Sequence, residues 1–151
     1  MMLRTTPRFA RRILLAIAAL ATGGALVSSV SLYHHYGTSA TSYCDIGENF
    51  NCDIVNHSAY STIAGVPVAL LGIAGYLAVL ALATVWRNHA EAPAMLMIGS
   101  LVGLGFALYL TYIEGFVLTT WCILCLSSLA LILSIAVLSS LLWLHRVRQS
   151  D

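Results

Sequence analysis

Four stretches of the chain carry no Asp, Glu, Lys or Arg and are long enough to cross a bilayer: Ile13 to Tyr33, Ile63 to Trp86, Ala94 to Ile113 and Trp121 to Leu144. A crossing needs about 20 consecutive apolar residues, so each stretch is expected to be a transmembrane helix. The connections are short except for His34 to Thr62, which is polar and carries Asp45, Glu48 and Asp53. Such a segment cannot lie against lipid, where its backbone groups find no hydrogen-bond partners. The pattern therefore predicts an all-α membrane protein. Residues 1–12 form an N-terminal arm, residues 13–144 a four-transmembrane-helix bundle with spans at about 13–33, 63–86, 94–113 and 121–144, and residues 145–151 a tail. The loop at 34–62 is the working segment.

The arginines orient the bundle, because positive charge is retained in cytoplasmic flanks. Arg4, Arg8, Arg11 and Arg12 precede the first span, Arg87 follows the second, and Arg146 and Arg148 follow the fourth. With both termini inside, every arginine is cytoplasmic, and the long loop and the Glu114 to Thr120 turn share the opposite face. That threading is expected of a bacterial inner-membrane protein with a periplasmic loop. The first span also has a basic flank and small residues at Ala21 to Ala25, as a signal peptide would. Its apolar run nevertheless reaches Tyr33, beyond the roughly 7–15 residues of a signal-peptide core, so a retained helix is expected.

Composition narrows the class further. The chain is 60% hydrophobic and 9% charged, against about 25% charged for a soluble domain. It has 151 residues, so four crossings leave no room for a second domain. Net charge is +1, and the arginines form no stripe that could follow a phosphate backbone, which argues against nucleic acid. No span holds an ionisable residue to mark a pathway, which argues against a channel or transporter. Gly72, Gly75, Gly99 and Gly103 have the spacing of helix-packing glycines, and Pro67 is expected in the first turn of the second helix, where a missing N–H costs little.

The chemistry lies in the four cysteines, all of them at the outer face. Four cysteines allow three pairings, and two structural disulfides are one reading. A second comes from Trp121-Cys122-Ile123-Leu124-Cys125, a CxxC at a predicted helix start whose thiols lie on one face. A helix N-terminus stabilises a thiolate, and Thr119 or Thr120 is expected to cap this one. Cys44 and Cys52 are separated by a polar segment containing Gly47, Glu48, Asn49 and Asn51, able to swing. A mobile dithiol beside a fixed one suggests electron relay by thiol–disulfide exchange. Zinc is disfavoured at a membrane surface in an oxidising space, and Leu126 after Cys125 excludes a c-type haem motif.

Four spans, Cys44 and Cys52 in a long first outer loop, and a CxxC opening the fourth helix together resemble the vitamin K epoxide reductase family. The resemblance covers about Leu26 to Leu144. It rests on Cys44-Asp45, Asn51-Cys52-Asp53, Val55, Ser58, Tyr60, Gly65-Val66-Pro67, Gly72, Tyr76 and the CxxC. It implies a bundle surrounding a quinone near its outer end, capped by a half-helix that here would be Asp53 to Thr62. For bacterial members it implies reoxidation of a separate periplasmic thioredoxin-fold (DsbA-like) partner in support of disulfide bond formation. Cys44 and Cys52 would be the shuttle, Cys122 would exchange with it, and Cys125 would face the quinone, ubiquinone or menaquinone, with no metal required.

Ser58 matches a family serine near the site. In vertebrate members an Asn matched by Ser61 and a Tyr matched by Leu129 bond the vitamin K ring, so the resemblance favours a quinone acceptor over epoxide reduction. Ser58, Ser61, Leu126 and Leu129 are the expected quinone contacts, with Ile63, Val68 and Leu71 as further apolar lining. His57 is a candidate proton acceptor near the loop pair. Glu114 is expected to be a solvated acid at the membrane edge, and His34 and His35 to be interfacial. The non-enzymatic alternative is a membrane scaffold stapled by permanent disulfides.

Overall fold

In a computed structural model, which describes residues 8–37, 44 and 47–150, the chain is an all-α bundle. Arg4 and Asp45, used above for orientation and motif, lie outside the described residues. Helix α1 spans Arg8–Tyr36, α2 Cys52–Asn56, α3 Val68–Thr84, α4 Ala92–Tyr112 and α5 Ile123–Ser150. A π-helical turn, Ile113–Leu118, continues α4.

Three of these helices, Arg8–Tyr36, Ala92–Leu118 and Ile123–Ser150, are long and apolar enough to cross a membrane, and α3 is a shorter apolar helix. The bundle's outer surface is apolar too, with Leu26, Ile98, Val102, Leu108 and Val137 exposed. Helices that are apolar all round belong in lipid rather than water, and the chain is an integral, multi-pass membrane protein.

The second apolar stretch departs from expectation at its start. Thr62–Ile63 and Val66–Pro67 pair as a two-stranded antiparallel hairpin, with Thr62 opposite Pro67 and Ile63 opposite Val66. Its turn residues, Ala64 at φ 52° and Gly65 at φ 81°, are both left-handed, the conformation that two-residue hairpin turns require. Pro67 is consequently the residue before α3 and not part of its first turn. The helix has 17 residues and rises about 25 Å, short of the roughly 30 Å of a hydrocarbon core.

Helix α1 packs on α3 and α5, and α4 on α5, while α3 and α4 engage less than any of these pairs. The core runs along one half of the bundle, through Ile13, Ile17, Ala21, Val79, Ala83, Leu96, Ile135 and Leu142. Arg11 and Arg87 line one small cleft there, and Phe9 on α1 stacks near His145 on α5, so the helix ends that bear arginine meet at one end of the molecule. A second, smaller cluster at the other end holds Cys44, Cys52, Val55 and Cys122.

Of the four expected packing glycines, two pack. A Cβ on Gly72 would come within 2.8 Å of Ser28 Oγ, and one on Gly103 within 3.2 Å of Ile132. Gly75 and Gly99, both exposed, have no atom of another element within 4 Å of that position.

Candidate functional site: cysteines beside an apolar cavity

The loop cysteines are held by α2. Asn51 is its N-cap, its Oδ1 accepting from the Ile54 N–H at 3.0 Å, which satisfies a donor that the short helix leaves free. The element is tied to α1 through Asn56. Ser31 Oγ donates to Asn56 Oδ1 at 2.9 Å, and Asn56 Nδ2 donates to the Cys52 carbonyl at 2.9 Å. His35 Nδ1 lies 2.6 Å from the Asn56 carbonyl; a carbonyl only accepts, so this nitrogen carries the proton. The expected half-helix is thus one turn over Cys52–Asn56 followed by a 3-10 turn at Ala59–Ser61. Cys44 and Cys52 form a disulfide, and both are buried.

The CxxC arrives at the same place from α4. The π turn and a left-handed Thr119 (φ 52°) reverse the chain. Trp121 then forms a short parallel bridge to the loop, its N–H donating to the Asn49 carbonyl at 2.9 Å and its carbonyl accepting from the Asn51 N–H at 3.1 Å. Helix α5 begins at Ile123, with Leu126 N–H donating to the Cys122 carbonyl. The expected threonine cap is absent: the Thr119 and Thr120 hydroxyls both bond back to the Leu118 carbonyl.

The carboxylate of Glu114 takes that place. Its Oε2 accepts from the Cys122 N–H at 3.1 Å. The expectation of a solvated acid is corrected here, since Glu114 is 2% exposed. The reason is the reversal at Ile113–Leu118, which turns a residue eight positions before Cys122 inward. The helix containing it runs on to Leu118, so an apolar span does hold an ionisable group, contrary to the reading from sequence.

Three buried sulfurs meet here. Cys122 Sγ lies 3.4 Å from Cys52 Sγ, whose other neighbour is Cys44. Cys122 and Cys125 are free thiols. A hydrogen bond from the Cys125 thiol, with the N–H groups of Cys125 and Leu124, holds the Cys122 thiol below the usual thiol range, against its burial and the nearby Glu114 charge. A thiol so held is a thiolate at lower pH and a readier nucleophile.

Beside the CxxC is a cavity of about 210 Å³. Cys125, Glu114, Ser58, Ser61, Val68 and Leu71 line it; Ile63, Leu126 and Leu129 do not. From α5 the lining residues are Leu124, Cys125, Ser128 and Ile132, one helical face, and the expected contacts at Leu126 and Leu129 are off it. Sequence reasoning gave no role to two groups that are prominent here. Tyr76 is buried, and its hydroxyl sits 2.8 Å from Ser128 Oγ and 2.9 Å from the Ser128 carbonyl; its place among the family motif residues was the available signal. Phe106 supplies an aromatic wall from α4, for which there was no signal beyond its apolar character.

The histidines sit away from the sulfurs' line. His57 is exposed, donates from Nδ1 to the Asp53 carbonyl at 2.9 Å, and stacks near His35. His34 is buried rather than interfacial, with Nδ1 3.9 Å from Asp53 Oδ1. Among the described residues no three His, Cys, Asp or Glu side chains converge as metal ligands would.

Two cysteine pairs meeting at a buried junction form an arrangement consistent with a redox relay. The model of the vitamin K epoxide reductase family matches residues 15–140. With the match extending over most of the 151 residues, the chain belongs to the vitamin K epoxide reductase family.

Proposed function

We propose that the protein is a quinone-dependent thiol–disulfide oxidoreductase that reoxidises a separate periplasmic thioredoxin-fold (DsbA-like) protein and so supports disulfide bond formation. The observation that carries this reading is the 3.4 Å contact between Cys122 Sγ and Cys52 Sγ beside a cavity that also contains Cys125. Four crossings are part of the reading, α3 being the short one, with both termini cytoplasmic.

The relay runs from the loop to the cavity. A reduced partner passes two electrons to the Cys44–Cys52 disulfide, leaving a dithiol. Cys52, which faces Cys122, attacks the oxidised CxxC to give a Cys52–Cys122 mixed disulfide and a free Cys125. Cys44 resolves it by attacking Cys52. The loop pair is then a disulfide again and the CxxC a dithiol, the pairing described above. Each step exchanges one S–S bond for another through an in-line thiolate, and the depressed Cys122 thiol is a good leaving group in the last. Cys44 is left as the sulfur for the partner.

The cavity fits a quinone as the electron-accepting substrate. Gly75 and Gly99 border it without side chains to occupy it. Val68, Leu71 and Phe106 offer apolar surface, and Ser58 and Ser61 a few polar groups, the mixture expected of a site for a largely apolar ligand. Ser58 Oγ donates to the Val55 carbonyl and Ser61 Oγ to the Ser58 carbonyl, so their hydroxyl oxygens remain as acceptors. A scaffold with two permanent staples is disfavoured, because Cys122 and Cys125 are both free.

The test is turnover of decylubiquinone or menadione by the purified protein with a reduced thioredoxin-fold donor. Wild type is expected to reduce quinone and oxidise the donor in equal amounts, and Cys125→Ser to reduce no quinone and to oxidise no more than the one equivalent of donor that the loop disulfide takes up. Absence of turnover with both quinones, alongside disulfides that yield only on unfolding, would return the protein to the stapled scaffold.

A further inference from the structure

Glu114 is a carboxyl group sealed in a membrane protein, and such a group persists only where it has a use or a partner. One oxygen has a partner, the Cys122 N–H. The other, Oε1, is buried with no hydrogen-bond partner among the described residues. The side chain lines the same cavity as Cys125, and the two groups are near enough to interact. The remaining titratable groups lining the cavity are His35, Tyr60 and Tyr76. His35 Nδ1–H is engaged with the Asn56 carbonyl and the Tyr76 hydroxyl with Ser128, while Tyr60 is largely exposed. Of these groups Glu114 is the one tied to the CxxC, through the Cys122 N–H and beside Cys125.

We propose that Glu114 is a catalytic residue that takes the proton from the Cys125 thiol when the CxxC dithiol closes, and returns it to the reduced electron acceptor. The proposal rests on the quinone-coupled reading above and supplies its proton path. In the step, the Cys125 S–H bond breaks and its proton passes to Glu114 Oε1. An S–S bond forms between Cys125 and Cys122 as the Cys122 thiol gives up its own proton to water, and two electrons leave to the quinone. Reduction to the hydroquinone takes up two protons: one is the Cys125 proton handed on by Glu114, and the other replaces from water the one Cys122 gave up. Glu114 ends as it began.

Glu114→Gln is the informative variant, because the amide oxygen can keep the bond from the Cys122 N–H but the side chain cannot carry a proton. Without any quinone to receive it, the Cys125 proton is expected to stay on Glu114 after oxidation, so infrared difference spectra of the full-length protein in nanodiscs, between dithiothreitol-reduced and diamide-oxidised states, are expected to contain a carboxyl C=O band. The band should shift in D2O, vanish in Glu114→Gln and return displaced in Glu114→Asp. With decylubiquinone, single-turnover oxidation of the reduced protein is expected to slow about 10²-fold in Glu114→Gln and to recover in part in Glu114→Asp. No carboxyl band in wild type, a band that survives in Glu114→Gln, or a wild-type oxidation rate in that variant overturns the assignment. A carboxyl band that behaves as expected in a wild type inert to decylubiquinone and menadione supports the proton exchange and sinks the quinone reading instead.

Discussion

The arginine-bearing half of the bundle is filled, and the cysteine-bearing half is hollow. In the first, Ile17, Leu96 and Ile135 are completely buried and interlock with Ala21 and Ala83. In the second, Gly75 and Gly99 face open space, and the polar side chains of Glu114, Ser58 and Ser61 line a cavity. The same helices run through both. Lipid supplies no hydrophobic force between helices, so association depends on close packing, and one half must provide it if the other is to remain open. Stability and chemistry are thereby assigned to opposite ends of α3, α4 and α5.

That contrast can be broken from either side. The largest effect is expected at the sulfur junction: Cys122→Ser should abolish quinone-linked turnover altogether, measured as donor oxidation, while leaving the thermal transition in detergent nearly unmoved. Next, Leu96→Ala in the filled half should cost about 2–5 kcal/mol by deleting buried contacts and leaving a void, read as a lowered unfolding midpoint. The folded fraction should keep its rate per molecule. A third test fills the hollow half. Gly99→Leu meets no atom where its Cβ would lie, and leucine is a better helix former than glycine by about 0.5–1 kcal/mol. Turnover should fall at least tenfold, chiefly through a higher KM for the quinone, with stability equal to wild type or above it.

Two smaller effects sharpen the comparison. Replacing Cys125 by alanine removes the first of the hydrogen bonds that hold the Cys122 thiol low. In wild type, alkylation of Cys122 should therefore persist as pH falls below the usual thiol range and decline only beneath it. In Cys125→Ala the midpoint of that decline should move to higher pH, and a pH-independent difference would contradict the assigned cause. Smallest is Tyr76→Phe, which removes the hydroxyl bonded to Ser128 between α3 and α5. A loss of about 1 kcal/mol is expected, seen in denaturation, with little change in turnover.

What could be read from the sequence was whatever acts along the chain. Apolar runs predicted four spans, of which three are helices long enough to cross a membrane and the second is shorter, and the arginines and cysteines were assigned to opposite ends, where Arg11 and Arg87 share one cleft and the cysteines another cluster. What escaped were features that depend on direction or on distant contact. The run from Ile63 to Val68 is apolar whether extended or helical, so its hairpin was visible only in Gly65 and Pro67, read there as family motif and helix start. Leu126 and Leu129 were chosen as apolar residues just after the CxxC, Leu129 also for its match to a family position, whereas the phase of α5 about its axis directs Leu124, Ser128 and Ile132 to the cavity. Glu114 was misjudged because nothing local announces a π turn, and its bond to Cys122 crosses eight residues. Its charge in an otherwise uncharged outer turn was the one signal, and it was read as solvent exposure.

The sulfur junction has a further consequence. A contact of 3.4 Å between Cys52 and Cys122 serves attack from either side equally well, since thiol–disulfide exchange passes through the same mixed disulfide in both directions. On the proposed function the bundle is then a conductor and not a rectifier. Which way current flows is fixed by the potentials of the two pools it joins, and a membrane whose quinones are already fully reduced would bring the oxidation of extracytoplasmic thiols to a halt with every residue of this protein intact.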